Sequence, residues 1–371
     1  MGFCLTHTQF NLNLFHTHNL LLRKSLKTLS SMSQGKSKRP ICPSCSKPTR
    51  TCLCSRILTP PIPNSVHVTI LQHALECNHP LNSTRIAKLG LNNLTIATVS
   101  DVNFQSRFLI RLLHSISNSL DNVSNGLFAQ NYAQHVLANS LVDTVNHVSD
   151  DGVVVNDEVK EIPVRPNCDD IEPAITVTIA KYGAITSLSH IWMQPSISNE
   201  LSFDNILSCP EACEALSKGF LVKKLQKKQF NREESVEEYE EFDIEVCPGS
   251  VLLFPSDNAV SVTDLDAVGF EVKNLIVLDG TWAKAKRIYS ENPWLNILPH
   301  LKLEVNEMSL YGDVRSQPKA GYLSTIESIV FALKAIGEDH RGLDNLLDTF
   351  ESMVGDQRRC KDERLSKLLP S

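Results

Sequence analysis

Residues 273–292, KNLIVLDGTWAKAKRIYSEN, predict a buried strand joined to a helix by one short turn. The strand is expected at residues 275–279, a mainly aliphatic run typical of a parallel strand that is covered on both faces. Thr281 can cap the following helix with its hydroxyl, and Pro293 ends the helix. Asp279 is therefore expected at the carboxyl end of a central strand, where ligands bind in open α/β sheets.

The Asp279 carboxylate can accept a proton, orient a ribose or cap the helix that follows it. In the purely structural alternative, Asp279 caps the helix and Trp282 packs in the core. The composition fits a soluble globular protein, with 42% apolar and 21% charged residues. These observations leave the function of Asp279 open at this point.

Charge is distributed unevenly along the 371 residues. No Asp or Glu precedes Glu76, whereas that segment contains nine Lys and Arg, and much of the acid lies within residues 233–245. The net charge of −6 argues against a nucleic-acid partner, but a basic face with a detached acidic segment is compatible with RNA binding. The apolar runs are far too short to span a membrane, so no membrane partner is expected.

Residues 1–38 contain no acidic residue and are rich in Ser, Thr, Asn, Leu and His. This composition is typical of a plastid or mitochondrial transit peptide. The alternative is a disordered extension, with translation also able to begin at Met32, and the protein is then expected in the cytoplasm or nucleus. The oligomeric state is left open.

Residues 39–60 contain four closely spaced cysteines with the pattern C-x2-C-x6-C-x-C. Four thiolates satisfy a tetrahedral structural zinc site, so the pattern predicts a zinc knuckle. Basic side chains around the knuckle can contact phosphates, or can be solvated surface. The four expected ligands are Cys42, Cys45, Cys52 and Cys54.

Strands that end in polar loops alternate with helices in the rest of the chain, which predicts an α/β fold with a mostly parallel sheet. His73, Ser256 and Asp279 each follow a predicted strand, so their loops are expected to share one cleft. Neither G-x-G-x-x-G nor a P-loop motif is present, which argues against a dinucleotide or P-loop domain. The other strands are expected at residues 66–71, 174–180, 251–254 and 301–305.

Several helices are also expected. Arg85 lies in the first turn of a helix that ends near Gly90, where the helix dipole disfavours a cation. This position indicates an anionic partner or a surface salt bridge. Glu327 completes a capping box with Ser324, so a structural role is preferred to a catalytic one. The remaining helices are expected at residues 104–116, 211–245 and 341–357.

Several separated blocks resemble the DTW-domain family and follow its order along the chain. Asp279, Gly280, Thr281 and Trp282 match the D-x-T-W motif. The resemblance covers residues 39–100 and 174–337. Its other blocks are the four cysteines, residues 71–73 with Glu76 and residues 82–85, residues 253–256, and residues 311–315 with residues 324–327.

The resemblance implies a SPOUT-like knotted domain that binds S-adenosylmethionine. Its expected extent is residues 61–340, with insertions at about 101–170 and 211–246 and a C-terminal helix and tail at 341–371. The implied reaction transfers the 3-amino-3-carboxypropyl group of S-adenosylmethionine to N3 of a tRNA uridine. Asp279 is the expected base. The expected binding residues for donor or RNA are His73, Arg85, Pro255, Ser256, Tyr311 and Arg315.

Two alternatives to this transferase remain. An RNA methyltransferase of the same fold would use the same donor but release S-adenosylhomocysteine instead of methylthioadenosine. A zinc-knuckle RNA-binding protein with an inactive α/β domain would bind RNA without modifying it. For Trp282, core packing is preferred to stacking on the target uridine.

Overall fold

The computed structural model describes residues 40–113, 171–192, 201–229, 236–304, 308–312, 314, 322–338 and 340–366. The predictions for residues 1–38 and for Arg315 lie outside these ranges. The strands are β1 (His67–His73), β2 (Leu94–Val99), β3 (Gln105–Leu112), β4 (Ile175–Ala180), β5 (Ile185–His190), β6 (Phe220–Gln229), β7 (Val236–Val246), β8 (Ser250–Leu253), β9 (Val260–Ser261), β10 (Asn274–Asp279) and β11 (His300–Lys302). The α-helices are α1 (Thr84–Gly90), α2 (Asp204–Leu207), α3 (Pro210–Ser217), α4 (Trp282–Ser290), α5 (Thr325–Ile336) and α6 (His340–Ser366).

A six-stranded sheet in the order β2-β1-β10-β8-β11-β9 forms the centre of the fold, and all of its strand pairs are parallel. The predicted α/β fold with a mostly parallel sheet is therefore confirmed. The register pairs Gln72 with Asp279, so β1 and β10 end at the same edge of the sheet. The SPOUT-like knot stays a prediction.

Strand β10 is buried along its whole length. Leu275 and Val277 pack in the core that includes residues of α1, α5 and α6. Ile276 and Leu278 point to the opposite face, where the core includes α4 and a second sheet. This burial on both faces explains the uninterrupted aliphatic run, because a one-sided strand would alternate with polar residues.

The second sheet is antiparallel, with the order β5-β4-β3-β6-β7. The helix predicted at residues 104–116 is wrong, because residues 105–112 form β3, whose buried Phe108, Ile110 and Leu112 follow the two-residue period of a strand. The helix predicted at residues 211–245 is confirmed up to Ser217 and wrong at residues 220–229 and 236–245, which form β6 and β7. Residues 105–112 therefore form a strand because they pair with β4 and β6, and the local sequence pattern alone does not determine this.

Lys224 on β6 is completely buried between the two sheets. Its Nζ lies 2.7 Å from Oε2 of Glu241 and faces the rings of Phe108 and Phe242. Burial lowers the pKa of Lys224, and the Glu241 carboxylate opposes that shift. Glu241 also accepts the backbone N–H of Ser100 at 2.7 Å, so this ion pair connects the antiparallel sheet to the end of β2.

The C-terminal part of the fold agrees with the predictions made from the sequence. The predicted capping box is present at the start of α5, and the helix predicted at 341–357 lies within the longer α6. None of the helices in the described ranges combines the length and the apolar character that crossing a membrane requires.

Candidate active site and zinc site

A cavity of about 440 Å³ lies at the carboxyl ends of the parallel strands. Its walls include Leu253 at the end of β8, Leu301 of β11, and the first residues of α4 and α5. Its volume lies within the range of small-molecule sites. Six of the predicted site residues line it: Pro255, Asp279, Gly280, Thr281, Trp282 and Tyr311.

The Asp279 side chain is buried and fixed through both carboxylate oxygens. Oδ2 accepts a hydrogen bond from Gln72 Nε2 at 2.7 Å, and Oδ1 accepts one from the Thr325 hydroxyl at 2.6 Å. Each oxygen of an ionised carboxylate has more than one acceptor position, so these two bonds orient the group without exhausting it. Asp279 can therefore still accept a proton from a molecule in the cavity.

The other residues of the D-x-T-W motif build the turn from β10 into α4. The Thr281 hydroxyl accepts the backbone N–H of Lys284 at 3.3 Å, which confirms the predicted N-cap. At Gly280, a Cβ atom would lie 2.9 Å from the Lys284 Cβ, so a larger residue would not fit without movement. Trp282 packs against the core and also lines the cavity, with its ring 4.2 Å from that of Tyr322.

The loop at Tyr311 closes another side of the cavity. Glu327 accepts hydrogen bonds from the Ser324 backbone N–H and the Ser309 hydroxyl, both at 2.7 Å, and from the Leu310 N–H at 2.9 Å. The Tyr311 hydroxyl donates to the Leu81 carbonyl. Glu327 therefore caps α5 and anchors this loop, which agrees with the structural role preferred from the sequence.

The four cysteines of the knuckle converge at one point. All four Sγ atoms lie within 4.8 Å of one another, and the pairs Cys42–Cys54 and Cys45–Cys52 are each 3.7 Å apart. A tetrahedral site with Zn–S bonds of about 2.3 Å requires sulfurs about 3.8 Å apart, so the cluster fits zinc.

The knuckle thiols ionise to different extents. Backbone N–H groups of Cys45 and Ser44 lower the pKa of Cys42 to about 6. Burial and hydrogen bonds with the neighbouring thiols raise the pKa of Cys54 to about 12. Four thiolates this close repel one another, and a divalent cation bound between them offsets this repulsion.

Comparison with protein families matches the DTW domain to residues 39–149 and 200–358, which is most of the chain. The chain belongs to the DTW domain family. The cysteine knuckle and the D-x-T-W residues both lie within the matched ranges, so the family resemblance is confirmed.

Curated relatives of this DTW domain protein are named tRNA-uridine aminocarboxypropyltransferase 2. The Drosophila melanogaster protein is 36% identical over 89 residues, which are 24% of this chain and 35% of the relative. The Mus musculus protein is 29% identical over 136 residues, 34% of this chain and 45% of the relative. The chain thus spans less than half the length of these relatives. No solved structure gives a significant match.

Two residues of the DTW site, Gln72 and Thr325, were not predicted as site residues although both lie in the family blocks. Gln72 is a buried polar residue near the end of β1, directly after the apolar Ile70 and Leu71. Thr325 is the first helical residue of α5, just after the capping Ser324. A polar residue at the end of a buried strand was the available signal for Gln72, whereas Thr325 reaches Asp279 only through the tertiary fold.

The structure places His73, Ser256 and Arg85 away from the lining of the cavity. The His73 ring contacts Asp101, with Nε2 3.0 Å from Oδ1. The Arg85 guanidinium donates to the backbone carbonyls of Cys77 and His79 and forms no salt bridge with the described residues. Their roles in binding stay predictions.

Ser256 forms a hydrogen bond with a partly buried histidine. Its hydroxyl lies 2.6 Å from His300 Nδ1, while His300 Nε2 lies 3.0 Å from the Leu295 carbonyl. A neutral ring satisfies both contacts, with Nε2–H donating and Nδ1 accepting. Burial lowers the pKa of His300 below its ordinary value of 6.5, against the smaller effect of the Leu295 carbonyl.

This histidine predicts a loss of stability in mild acid. Above pH 6.5 both folded and unfolded states contain neutral His300, whereas below it the unfolded chain binds a proton that the folded chain does not. The free energy of unfolding should therefore fall as the pH drops from 6.5 towards the folded pKa, by less than about 1.4 kcal/mol per pH unit. Urea unfolding at pH 7.5 and 5.5 should show a smaller decrease in His300→Gln than in the wild type. Equal decreases would contradict the prediction.

Proposed function

We propose that this DTW domain protein transfers the 3-amino-3-carboxypropyl group of S-adenosylmethionine to N3 of a tRNA uridine. The names of its relatives support the reaction, and the observation that carries the proposal is the Asp279 carboxylate. It is buried, fixed by Gln72 and Thr325, and lies in the wall of a cavity large enough for a small molecule.

Uridine N3 carries a proton and is a poor nucleophile until that proton leaves. Asp279 accepts the proton as N3 attacks, a role worth about 10²–10⁴-fold in rate for a well-placed general base. The donor, when bound, supplies the propyl carbon, to which N3 bonds as the carbon–sulfur bond breaks and methylthioadenosine leaves with the electron pair. The products balance as a neutral alkylated uridine, a neutral thioether and protonated Asp279.

The lining of the cavity fits both reactants. Apolar walls at Leu253, Leu301 and Leu303 suit the apolar parts of a nucleoside donor. The N-termini of α4 and α5 both reach the lining, and their helix dipoles favour the donor carboxylate. Tyr322, whose ring is tilted by 45° from that of Trp282, presents an aromatic surface on which an unpaired base can lie.

An RNA methyltransferase is the second candidate, because the same donor and base would serve both reactions. Selection of the propyl carbon over the methyl carbon depends on how the donor is positioned. The by-product separates the two: methylthioadenosine for the transferase, S-adenosylhomocysteine for the methyltransferase.

The proposal is tested by incubating the purified, zinc-loaded protein with unmodified tRNA and S-adenosylmethionine. Mass spectrometry of the digested nucleosides should detect a uridine heavier by one aminocarboxypropyl group, together with methylthioadenosine. A gain of one methyl group would favour the methyltransferase. Unchanged nucleosides in both tRNA and ribosomal RNA would contradict both enzymatic functions and favour a protein that only binds RNA.

A further inference from the structure

A second cavity, of about 660 Å³, lies between the zinc knuckle and helix α6. We call it the knuckle groove and define it by Lys47 and Arg50 of the knuckle, Pro80, Arg85 of α1, and Asp356 of α6. Three of these five side chains are cationic and one is acidic. The groove is therefore basic in a protein whose formal net charge is −6.

The cations of the groove form no ion pair with a carboxylate among the described residues. Lys47 is buried and donates to the Pro80 carbonyl at 2.7 Å, and Arg85 donates only to backbone carbonyls. Among the described residues, no carboxylate lies within 4.0 Å of either group. The acidic residue of the groove, Asp356, is itself paired with Arg56 at 2.6 Å and with Arg359.

Burying a cation without an anionic partner is costly, since neutral carbonyls replace only part of its hydration. Burial lowers the pKa of Arg85, which is consistent with that cost. Arg50 is exposed at the groove and has no hydrogen-bond or ion-pair partner in the part of the chain described here. The groove thus combines two fixed cations with one that is free to contact a ligand.

The knuckle groove is connected to the active-site cavity by one short segment. Glu76, Leu81 and Ser83 line the active-site cavity, while Pro80 and Arg85 line the groove. Residues 76–85 thus contribute to both linings, which places the groove beside the active-site cavity.

We propose that the knuckle groove binds backbone phosphates of the RNA next to the target uridine, with Arg50, Arg85 and Lys47 as the contacting cations. This inference rests on the proposed function, because it takes tRNA as the ligand. Phosphate contacts of this kind position an RNA without reading its sequence. They place the uridine relative to Asp279, which any transfer to N3 requires.

Another explanation for the fixed cations is the charge of the metal site. Four thiolates around Zn²⁺ carry a net charge of −2, and cations nearby would offset it. This explanation accounts for Lys47 and Arg85, but under it the exposed Arg50 would make no contact with RNA. The effect of Arg50 on RNA binding therefore separates the two explanations.

The experiment measures equilibrium binding of the full-length, zinc-loaded protein to unmodified tRNA by fluorescence anisotropy over a series of salt concentrations. Arg50→Ala should weaken binding roughly four-fold at 0.15 M salt and reduce the salt slope by about 0.7, the value for one phosphate contact on a single strand. Arg50→Glu should weaken binding further. Lys273→Ala, the matched control, removes one exposed Lys from the opposite end of β10, about 20 Å from Asp279.

Each outcome is informative. Weaker binding by both Arg50 variants with an unchanged Lys273→Ala variant supports the groove. If the Arg50 variants bind tRNA as tightly as the wild type, the proposed phosphate binding in the groove is overturned and the proposed function still stands. Lys47 and Arg85 would then offset the charge of the zinc site. Failure of the wild type to bind tRNA overturns both proposals.

Discussion

Replacing Asp279 with Asn is expected to slow the proposed aminocarboxypropyl transfer by about 10²–10⁴-fold, because the variant cannot accept the N3 proton of uridine. Asn has the same shape and keeps an oxygen for the Gln72 donor. Its amide can donate to the Thr325 hydroxyl, which rotates to accept. The hydrogen bonds of this side chain to Gln72 and Thr325 are therefore retained, and only its ability to accept a proton is lost.

The measurements are single-turnover transfer with tRNA, thermal melting, and binding of S-adenosylmethionine. The expected result is a loss confined to the rate of transfer, with melting and donor binding close to those of the wild type. Thr325→Val is the matched comparison, since it removes one of the two hydrogen bonds that orient Asp279. Its rate should fall by about 10-fold and by no more than about 100-fold, because a hydrogen bond to a charged group contributes about 1.5–3 kcal/mol.

Transfer by Asp279→Asn at a rate within a few-fold of the wild type would contradict the proposed base. Asp279 would then be a structural connection between β1, β10 and α5. A variant that melts much earlier than the wild type would indicate the same structural role, and the comparison with Thr325→Val would show how much of the loss comes from that connection.

The parts of the site that the sequence predicts are the local ones. The strand, turn and helix around Asp279 depend on residues within about ten positions, so the cap at Thr281 and the end of β10 follow from local chemistry. The capping box at Ser324 and Glu327 is equally local. The cysteine knuckle is predictable because four metal ligands lie within 13 residues.

The parts that the sequence does not predict depend on contacts between distant residues. Gln72 and Asp279 are 207 positions apart and meet only because β1 and β10 are paired in register. Strand β3 contains a Phe108–Leu112 spacing that also fits a helix, and only pairing with β4 and β6 selects the strand. The Lys-rich strand β6 lies within the stretch that the sequence predicts as helix, whereas its Lys224 is buried against Glu241 of the neighbouring strand.

Zinc is expected to bind at one ion per chain, and its removal should unfold the knuckle. Cys45 and Leu53 are the fully buried apolar residues within residues 40–60, too few to hold the segment together without a metal. Structural zinc contributes about 10–16 kcal/mol of apparent binding free energy in zinc-finger peptides, far more than this small core provides. Cys45→Ser should therefore lose the ion and melt at a lower temperature than the wild type.

Elemental analysis and thermal melting of the purified protein test this prediction, with Cys213→Ser as the control. Cys213 is exposed and donates to the Leu207 carbonyl, a bond that Ser preserves, so this variant should keep one zinc ion and the melting temperature of the wild type. Loss of zinc should also weaken tRNA binding, because Lys47 and Arg50 are held in place by the knuckle. A wild-type protein without zinc, or a Cys45→Ser variant that retains it, would show that the four thiols have another role.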